Sequence, residues 1–398
     1  MKRQISLLIL LTAAVFVSVL SVSADEKFTI GLINIGTHDD KGWSNSHYDA
    51  VQYVINKLGA DKFDFIYTDM VWDGNNGKTV KQYGEDLLNQ GADFLIFNSD
   101  SHTDGAKAFA EDHPDVKVEL ASSDLSWKEG HNYANLPNLQ TYMPQMEYGE
   151  MIGGCEAALR TRTGKIGYIG PLINDETRRF ANATWLGAKY CWTQYRGKDA
   201  KDLHMQVQWI GHWSNIPGVT ADPSVISVEM IHNGFDVLIA ALDTTEALVE
   251  AENAHKAGTE VYAIAYDYQK ACDLAPDVCL GSRYYNWGPK YLRTIQSVLD
   301  NKFQADFEYE APNWEKFGDP DQCAIGFERS QLITDEENAY LDQFIAKLAA
   351  DGSMKLFTGP LNWKDGTQFL ADGVEATLDQ IWYTSQLLED IDDIPSQN

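Results

Sequence analysis

The residues of this sequence best suited to chemistry are carboxylates and tryptophans that follow short apolar segments. Asp40 and Trp43 follow the segment "FTIGLINI", Asp243 and Asp267 stand at the ends of two later apolar segments, and Trp287 follows another. An indole ring stacks on planar molecules, and a carboxylate accepts N–H or O–H groups in charge-assisted hydrogen bonds. The pattern predicts non-covalent recognition of a small, partly flat solute.

Each of these side chains also has a structural interpretation. Trp43 could pack inside the domain that holds it, and Trp287 could pack where it opens a helix before "GPKY". Asp243 precedes "TTEALVEA", so it could cap that helix and still bind a ligand. Asp267 could have a purely structural role, and His47, one turn into the first predicted helix, could be an ordinary surface histidine. Binding and packing therefore both stay open for these residues.

The sequence carries no motif for covalent, nucleotide or metal chemistry. It has no G-x-S-x-G elbow, no Walker A loop, no H-E-x-x-H and no C-x-x-C pair. Gly164, Gly167 and Gly170 have the wrong spacing for a dinucleotide fingerprint. We therefore expect no catalytic residue, no cofactor and no metal site.

Short apolar segments alternate with helical ones from Phe28 onward. "FTIGLINI", "DFIYTDMV", "DFLIFNS" and "VKVELAS" are separated by segments such as "TVKQYGEDLLNQG", and the alternation restarts at "KIGYIG" after a break near Tyr142. Apolar strands that alternate with helices predict a parallel sheet covered on both faces. The repeated pattern predicts an α/β fold of two doubly wound lobes.

The loops after the strands are the places where such a fold binds ligands, because they lie beyond the carboxyl ends of a parallel sheet. Two lobes would bring two sets of these loops face to face across a cleft. The loops are rich in Asn, Asp, Ser and Trp and nearly free of Lys and Arg, which favours a neutral ligand and disfavours a phosphate. They comprise residues 34–43, 98–102, 122–124, 172–176, 212–215, 243–245, 267 and 284–287.

We predict three parts in the mature chain. Residues 25–142 together with about 284–330 form the first lobe, and residues 143–283 form the second. Residues 331–398 form an extension packed on the lobes, and its acidic end, "EDIDDIPSQN", is predicted to be a solvated tail.

The first 24 residues have the pattern of a cleaved signal peptide. Lys2 and Arg3 precede an apolar segment, and "SVSA" offers a processing site after Ala24. A transmembrane anchor is the alternative, but the apolar segment is short for a spanning helix, which needs about 20 residues. We therefore expect a soluble protein in the periplasm or outside the cell.

The formal net charge of −28 argues against nucleic acid and anionic membrane surfaces as partners.

The five cysteines predict disulfides, because an exported protein meets an oxidising environment. Cys272 and Cys279 flank the loop "CDLAPDVC" and favour a local bridge. Cys155 and Cys191 lie on two successive predicted helices around "KIGYIG", so a second bridge is expected there. Cys323 would be left over.

Several stretches together resemble the BMP family of substrate-binding proteins, the purine nucleoside receptors of ABC importers. "DDKGWSNSHYDAV" resembles the D-x-[SG]-[FW]-N motif of that family, and the similarity continues in "NLQTYMPQMEYGEMIGGCEAALRTRTGKIGYIG", "GFDVLIAALDTTEALVEAENAHKAGTEVYAIAYDYQ" and "LFTGPL". The resemblance covers nearly the whole mature chain in order. It implies a type I periplasmic binding protein fold, in which a hinge of three crossovers joins the two lobes.

The resemblance also implies roles for individual residues. Trp43 stands where the family places an aromatic ring on the purine, Asp267 where an aspartate contacts the ligand, and Asp243 and Thr244 lie in another contacting loop. The full set of candidate ligand contacts is Asp40, Trp43, His47, Asn182, Asp243, Thr244, Asp267 and Trp287.

Two departures from the family pattern concern ribose recognition. Asn34 and Ile35 stand where nucleoside receptors carry Asp-Asn, and the lysine expected near Tyr284 is absent. A free purine base is therefore nearly as well supported as a nucleoside.

The sequence thus predicts an exported, monomeric receptor that closes two lobes over a purine base or nucleoside and delivers it to an ABC permease. A receptor for a sugar or another small neutral solute is one alternative. A secreted nucleoside hydrolase is another, with Asp39, Asp40 or Glu176 as acid or base. A ligand sensor that partners a membrane receptor would have similar lobes.

Overall fold

The computed structural model describes residues 27–352 and 354–396. The predicted signal peptide, residues 1–24, lies outside these residues. Within the described residues, every helix is too short or too polar to cross a membrane.

The secondary structure follows the predicted alternation. The strands are β1 (Phe28–Ile33), β2 (Phe63–Thr68), β3 (Phe94–Phe97), β4 (Lys117–Ala121), β5 (Leu139–Pro144), β6 (Lys165–Gly170), β7 (His204–Trp209), β8 (Val237–Ala240), β9 (Tyr262–Asp267), β10 (Cys279–Tyr285), β11 (Phe307–Glu310), β12 (Ile325–Arg329), β13 (Leu361–Asn362), β14 (Gln368–Leu370) and β15 (Ile391–Ile394). The helices are α1 (Trp43–Leu58), α2 (Val80–Asn89), α3 (Thr103–Asp112), α4 (Glu147–Arg160), α5 (Asp175–Gln194), α6 (Pro223–His232), α7 (Glu246–Lys256), α8 (Gly288–Leu299), α9 (Asp335–Asp351) and α10 (Leu378–Trp382).

Two separate sheets form the cores of the two lobes. The first has the order β11-β5-β4-β3-β1-β2 and the second β12-β10-β9-β8-β6-β7-β15. Within these two sheets every pair is parallel except β10 with β12. A third, two-stranded sheet pairs β13 with β14 antiparallel. The apolar strands β3 and β8 are buried along their whole length, as expected for sheets covered on both faces. The predicted fold of two doubly wound lobes is confirmed.

The chain crosses between the lobes three times, at residues 145–146, 286–287 and 311–324. The segment 284–330 contributes α8, which packs on α1, and β11 to the first lobe. It also contributes β12 to the second sheet. The domain boundaries themselves stay a prediction.

Residues 377–396 form a segment that we call the C-terminal strap. Its β15 pairs in parallel with β7 at the edge of the second sheet. The ring of Trp382, also in the strap, packs edge-on against Phe307 and Tyr309 of the first sheet, with centroids 5.1 and 5.0 Å away. The prediction of a solvated acidic tail is therefore wrong for residues 391–394, because the backbone of this segment completes a sheet edge although its side chains are acidic.

Both predicted disulfides are present. Cys155–Cys191 joins α4 to α5, and Cys272–Cys279 closes the loop before β10. Cys323 is a buried free thiol.

Candidate ligand-binding cleft

The loop between β1 and α1 is organised by Asp40. Its carboxylate accepts hydrogen bonds from the backbone N–H groups of Gly42, Ser44 and Asn45 at 2.8, 3.0 and 2.9 Å. These are donors at the start of α1 that have no partner within the helix. Burial raises the pKa of Asp40 to about 6 although these hydrogen bonds lower it. Asp40 therefore caps the helix that presents Trp43, and it does not line the cavity described next.

Trp43 lies at the gap between the lobes. Its side chain is 7% exposed, and its Nε1 donates to the backbone oxygen of Asn98 at the end of β3. The ring forms one wall of a small enclosed cavity. One side of Trp43 thus packs on His47 and Trp287 in the core, and another side borders the cavity that the second lobe completes.

The enclosed cavity is built by both lobes. Its lining residues in the first lobe follow β1, β3 and β4, and those in the second follow β6, β7 and β8: Ile35, Trp43, Ser99, Asp100, Ser122, Glu176, Trp213 and Asp243. The space inside is about 10 Å³, enough for about one water molecule. The cleft is therefore closed in this structure.

Direct contacts hold the two rims together. The hydroxyl of Ser122 donates to Glu176. A Cβ placed on Gly42 would lie only 2.8 Å from the backbone oxygen of Asp243, so a glycine is needed where these loops meet. The ammonium of Lys41 also lies 5.8 Å from the ring centre of Tyr268.

The cavity wall is acidic, and we call Asp100, Glu176 and Asp243 the acidic wall. Burial raises the pKa of Glu176 to about 7; the nearby charge of Arg179 lowers it and that of Asp100 raises it. Burial also raises the pKa of Asp100. The pKa of Asp243 is raised well above its usual range by burial, and then by the charge of Asp40.

Asp267 lies next to Asp243 but does not line the enclosed cavity. It ends β9 with a φ of +67° and is fully buried. Its carboxyl group forms a hydrogen bond with that of Asp243, which requires a proton on one of the two. Burial, followed by the charges of Asp243 and Asp40, raises its pKa well above the usual range. It backs the acidic wall from inside the second lobe.

Thr244 follows Asp243, and its buried hydroxyl lacks a hydrogen-bond partner among residues 27–352 and 354–396. It does not line the enclosed cavity either.

His47 and Trp287 lie behind Trp43 rather than at the cavity. Their rings stack with centroids 4.1 Å apart, and both side chains are fully buried. Nδ1 of His47 bonds the hydroxyl of Tyr291, and Nε1 of Trp287 donates to Ser46 at 3.1 Å. The packing of α8 on α1 uses both rings, and a ligand contact at either residue stays a prediction. We call His47, Tyr285, Trp287 and Tyr291 the aromatic cluster.

Asn182 also lies away from the cavity. Its amide donates to the backbone oxygen of Gln386 at 3.0 Å and accepts from the backbone N–H of Leu388 at 2.9 Å. From α5 it therefore fixes the C-terminal strap to the second lobe, and its role as a ligand contact stays a prediction.

A wider cavity of about 780 Å³ adjoins the enclosed one and shares Asp100, Ser122 and Glu176 with it. Its remaining walls are mostly polar side chains of both lobes, together with Trp382 of the strap. Arg179 lies in this wall and is held by Glu147 through a 2.6 Å hydrogen bond from its Nε. The enclosed cavity thus sits at the inner end of a larger polar opening.

Trp213 and the acidic wall were only partly anticipated. The sequence placed Ser99, Asp100, Ser122, Glu176 and Trp213 in loops after strands, but it named none of them as a ligand contact. The one signal in the sequence that pointed to these residues was their position directly after a predicted strand. Trp213 is 8% exposed, and its indole N–H has no hydrogen-bond partner in the described residues.

The described residues contain no group of three His, Cys, Asp or Glu side chains arranged to hold a metal ion.

Comparisons with known proteins agree with this architecture. Residues 27–307 match the family model described as ABC transporter substrate-binding protein PnrA-like. The chain is 25% identical to a purine-binding protein of Brucella abortus, over 93% of this chain and 94% of that protein. It is 26% identical to basic membrane protein A of Borreliella burgdorferi, over 87% and 93% of the two chains.

Solved structures confirm the fold. An ABC transporter solute-binding protein from Conexibacter woesei superposes with a TM-score of 0.58 at 14% identity and covers 82% of this chain and 97% of its own. One from Aeropyrum pernix gives 0.60 at 16% identity over 82% and 80%. The predictions of the family, of the type I periplasmic binding protein fold and of a binding protein rather than an enzyme are confirmed. The chain belongs to the PnrA-like (Bmp) family of ABC transporter substrate-binding proteins.

Proposed function

We propose that this protein binds a purine base or nucleoside between Trp43 and Trp213 and delivers it to an ABC permease outside the cytoplasm. The observation that carries the proposal is that these two indoles, one from each lobe, line the same enclosed cavity. The naming of the Brucella abortus relative as a purine-binding protein supports it.

The chemistry of the cavity suits a flat, nitrogen-rich ring. Stacking on an aromatic side chain contributes about 1–3 kcal/mol per base. The buried N–H of Trp213 can donate to a ring nitrogen or carbonyl, and the carboxylates of Glu176 and Asp243 can accept from ring N–H groups. A purine offers both kinds of partner around its edge.

Ligand entry requires the lobes to separate. The enclosed space of about 10 Å³ cannot hold a purine, so the ring must enter while the rims are apart. Three crossovers at residues 145–146, 286–287 and 311–324 allow a hinge motion of this kind. A bound ring then shifts the population toward the closed form because it contacts both lobes at once.

The wider cavity is compatible with either a purine base or a nucleoside as the ligand. Its volume of about 780 Å³ and its polar lining would accept a sugar attached to a ring in the inner site. A monomer that exposes both lobes to a permease fits this role, and the signal-peptide pattern of residues 1–24 supports its export.

A ligand panel tests the proposal. In the first experiment, the expressed mature chain is denatured by heat, and the small molecules that it releases are identified by mass spectrometry. In the second, ligand-free refolded protein is titrated with purine bases, nucleosides and pentoses. At 100 times its dissociation constant, a purine ligand should raise the free energy of unfolding by about 2.7 kcal/mol.

Stabilisation by a pentose without any effect of purines would contradict the proposal and favour the sugar receptor. Release of free base from adenosine or inosine during incubation would contradict it in favour of a hydrolase.

A further inference from the structure

We propose that the acidic wall selects a planar ring that carries amino groups, such as a 6-aminopurine, over the corresponding oxo-substituted ring. This inference rests on the proposed function, because it assumes that a purine occupies the enclosed cavity. It adds the substituent chemistry by which that cavity would discriminate between purines.

The donors around the enclosed cavity are already used within the protein. Trp43 donates its N–H to Asn98, Ser122 donates its hydroxyl to Glu176, and the hydroxyl of Ser99 donates to Asp100 at 3.2 Å. Among the described residues that line the cavity, the free side-chain donor is the buried indole N–H of Trp213. The protein thus offers a ligand one side-chain N–H donor and several carboxylate acceptors.

The acceptors face a cavity wall without a cation. The lining residues in the described part of the chain include no Lys, Arg or His. Arg179 pairs with Glu176 from outside the enclosed cavity, its Nη2 3.7 Å from the carboxylate, and also donates from Nε to Glu147. Arg283, beyond Asp267, is paired with Glu150.

Further carboxylates stand behind the wall. Asp40 in the first lobe and Asp267 in the second both lie close enough to raise the pKa of Asp243 or to have their own raised by it. Asp100 accepts from the backbone N–H of Ser101 at 2.8 Å and from Asn174 at 3.4 Å, so it is the best-satisfied carboxylate of the wall. Burial and the neighbouring carboxylates make ionisation of the wall costly, so a ligand that donates hydrogen bonds to it stabilises the ionised form.

An amino group and an oxo group meet this wall differently. An exocyclic amine supplies two N–H donors to Glu176 or Asp243, whereas a carbonyl oxygen in the same place brings a second acceptor against a buried carboxylate and supplies no donor. Sites built around such a hydrogen bond can reject the analogue that lacks it by large factors. The N–H of Trp213 would meet an acceptor on the same ring.

Protonation should weaken this discrimination. Burial raises the pKa of Glu176 to about 7, so a carboxyl group in the wall carries a proton at pH 5.5 and can then donate to a carbonyl oxygen. At pH 8, above this pKa, Glu176 is mostly ionised and accepts only. Selectivity is therefore expected to fall as the pH is lowered.

Calorimetric titration of the mature chain with adenine and with hypoxanthine tests the inference. At pH 8 we expect adenine to bind at least about tenfold more tightly, and at pH 5.5 we expect the ratio to shrink. Asp243→Asn and Glu176→Gln each place an amide N–H donor in the wall and should reduce the ratio at pH 8 to about threefold or less. Asp104→Asn, which changes an exposed carboxylate of the wider cavity, should leave the ratio unchanged.

The outcomes separate the two proposals. Equal affinities for adenine and hypoxanthine at pH 8, or a preference for hypoxanthine, would overturn the inference while purine binding stands. Binding of neither ring, nor of their nucleosides, would overturn both. If either wall variant fails to fold, as judged by circular dichroism, the two pH values in the unmodified protein still decide.

Discussion

Trp43 and Trp287 are the two tryptophans that the sequence predicted to stack on a ligand, and the structure gives them different surroundings. Their ring centroids lie 5.1 Å apart. Trp43 meets the second lobe across an enclosed cavity, whereas Trp287 is fully buried, stacked on His47 and Tyr285 and bonded to Ser46. The comparison shows that a tryptophan that follows a strand can either line the cleft or pack in the core beside the crossovers.

The difference follows from where each residue joins its helix. Trp43 is the first residue of α1, so it stands at the rim that meets Asp243. Trp287 lies in the second crossover, where α8 turns back onto α1, and the aromatic cluster fills the space between these helices. One tryptophan is therefore expected to control affinity and the other stability.

Replacing Trp287 by alanine should have the largest effect. The substitution removes a fully buried indole from the aromatic cluster and should lower the free energy of unfolding by about 3–5 kcal/mol. Urea denaturation followed by circular dichroism measures this loss. If Trp43→Ala costs as much stability as Trp287→Ala, the proposed division of roles is wrong.

Replacing Trp43 by alanine should mainly weaken purine binding. Loss of one stacking surface worth about 1–3 kcal/mol lowers the affinity by roughly 5- to 150-fold, while Trp43→Phe keeps most of the affinity. Titration calorimetry measures both variants. The matched control is Trp287→Phe, which should bind purine with nearly unchanged affinity; a comparable loss there would place the ligand against the aromatic cluster.

Replacing Asp267 by asparagine should stabilise the ligand-free protein at alkaline pH. The folded-state pKa of Asp267 is raised above its unfolded value, so the folded form binds more protons and loses stability as the pH rises. Asparagine cannot ionise, and we expect a gain of roughly 1–3 kcal/mol at pH 8 that shrinks toward pH 4.

Thermal unfolding at both pH values measures this difference. His47 and His102, whose pKa values burial lowers, make the protein more stable as the pH rises, which is the opposite trend. Subtracting the stability of the unmodified protein from that of the variant at each pH cancels this contribution. Asp372→Asn, at an exposed site, serves as the control. A gain that is the same at pH 4 and pH 8 would show that the carboxylate stays neutral throughout.

Replacing Asn182 by alanine should have the smallest effect and separate the strap from the site. It leaves the backbone groups of Gln386 and Leu388 without their partners and should cost about 1–2 kcal/mol of stability. Purine affinity should stay within about twofold in calorimetry, because Asn182 does not line either cavity. A tenfold loss of affinity would mean that the strap positions the acidic wall.

The sequence predicted the architecture because its signals are local. Apolar strands alternating with helices recur along the chain and suffice to predict two parallel sheets, and the loops after β3, β4, β6 and β7 were identified as the ligand-binding side. The spacing of Cys272 and Cys279 was likewise enough to predict their pairing.

The identity of the lining side chains could not be predicted in the same way, because it depends on contacts between distant segments. Asp40 is turned toward backbone donors of α1, and Asn182 toward the strap more than 200 residues later. Trp213 meets Trp43 only when the two lobes face each other. The acidic strand 391–394 has the composition of a tail and forms a sheet edge because β7 leaves its outer side unpaired.

A crystal structure of the mature chain with a bound purine tests the central claim most directly. We expect the ring to lie between the indoles of Trp43 and Trp213, with its polar edge against Glu176 or Asp243 and the aromatic cluster unchanged. A purine bound elsewhere would contradict the account. One example is a purine against Trp382 in the wider cavity, with the enclosed cavity between Trp43 and Trp213 still empty.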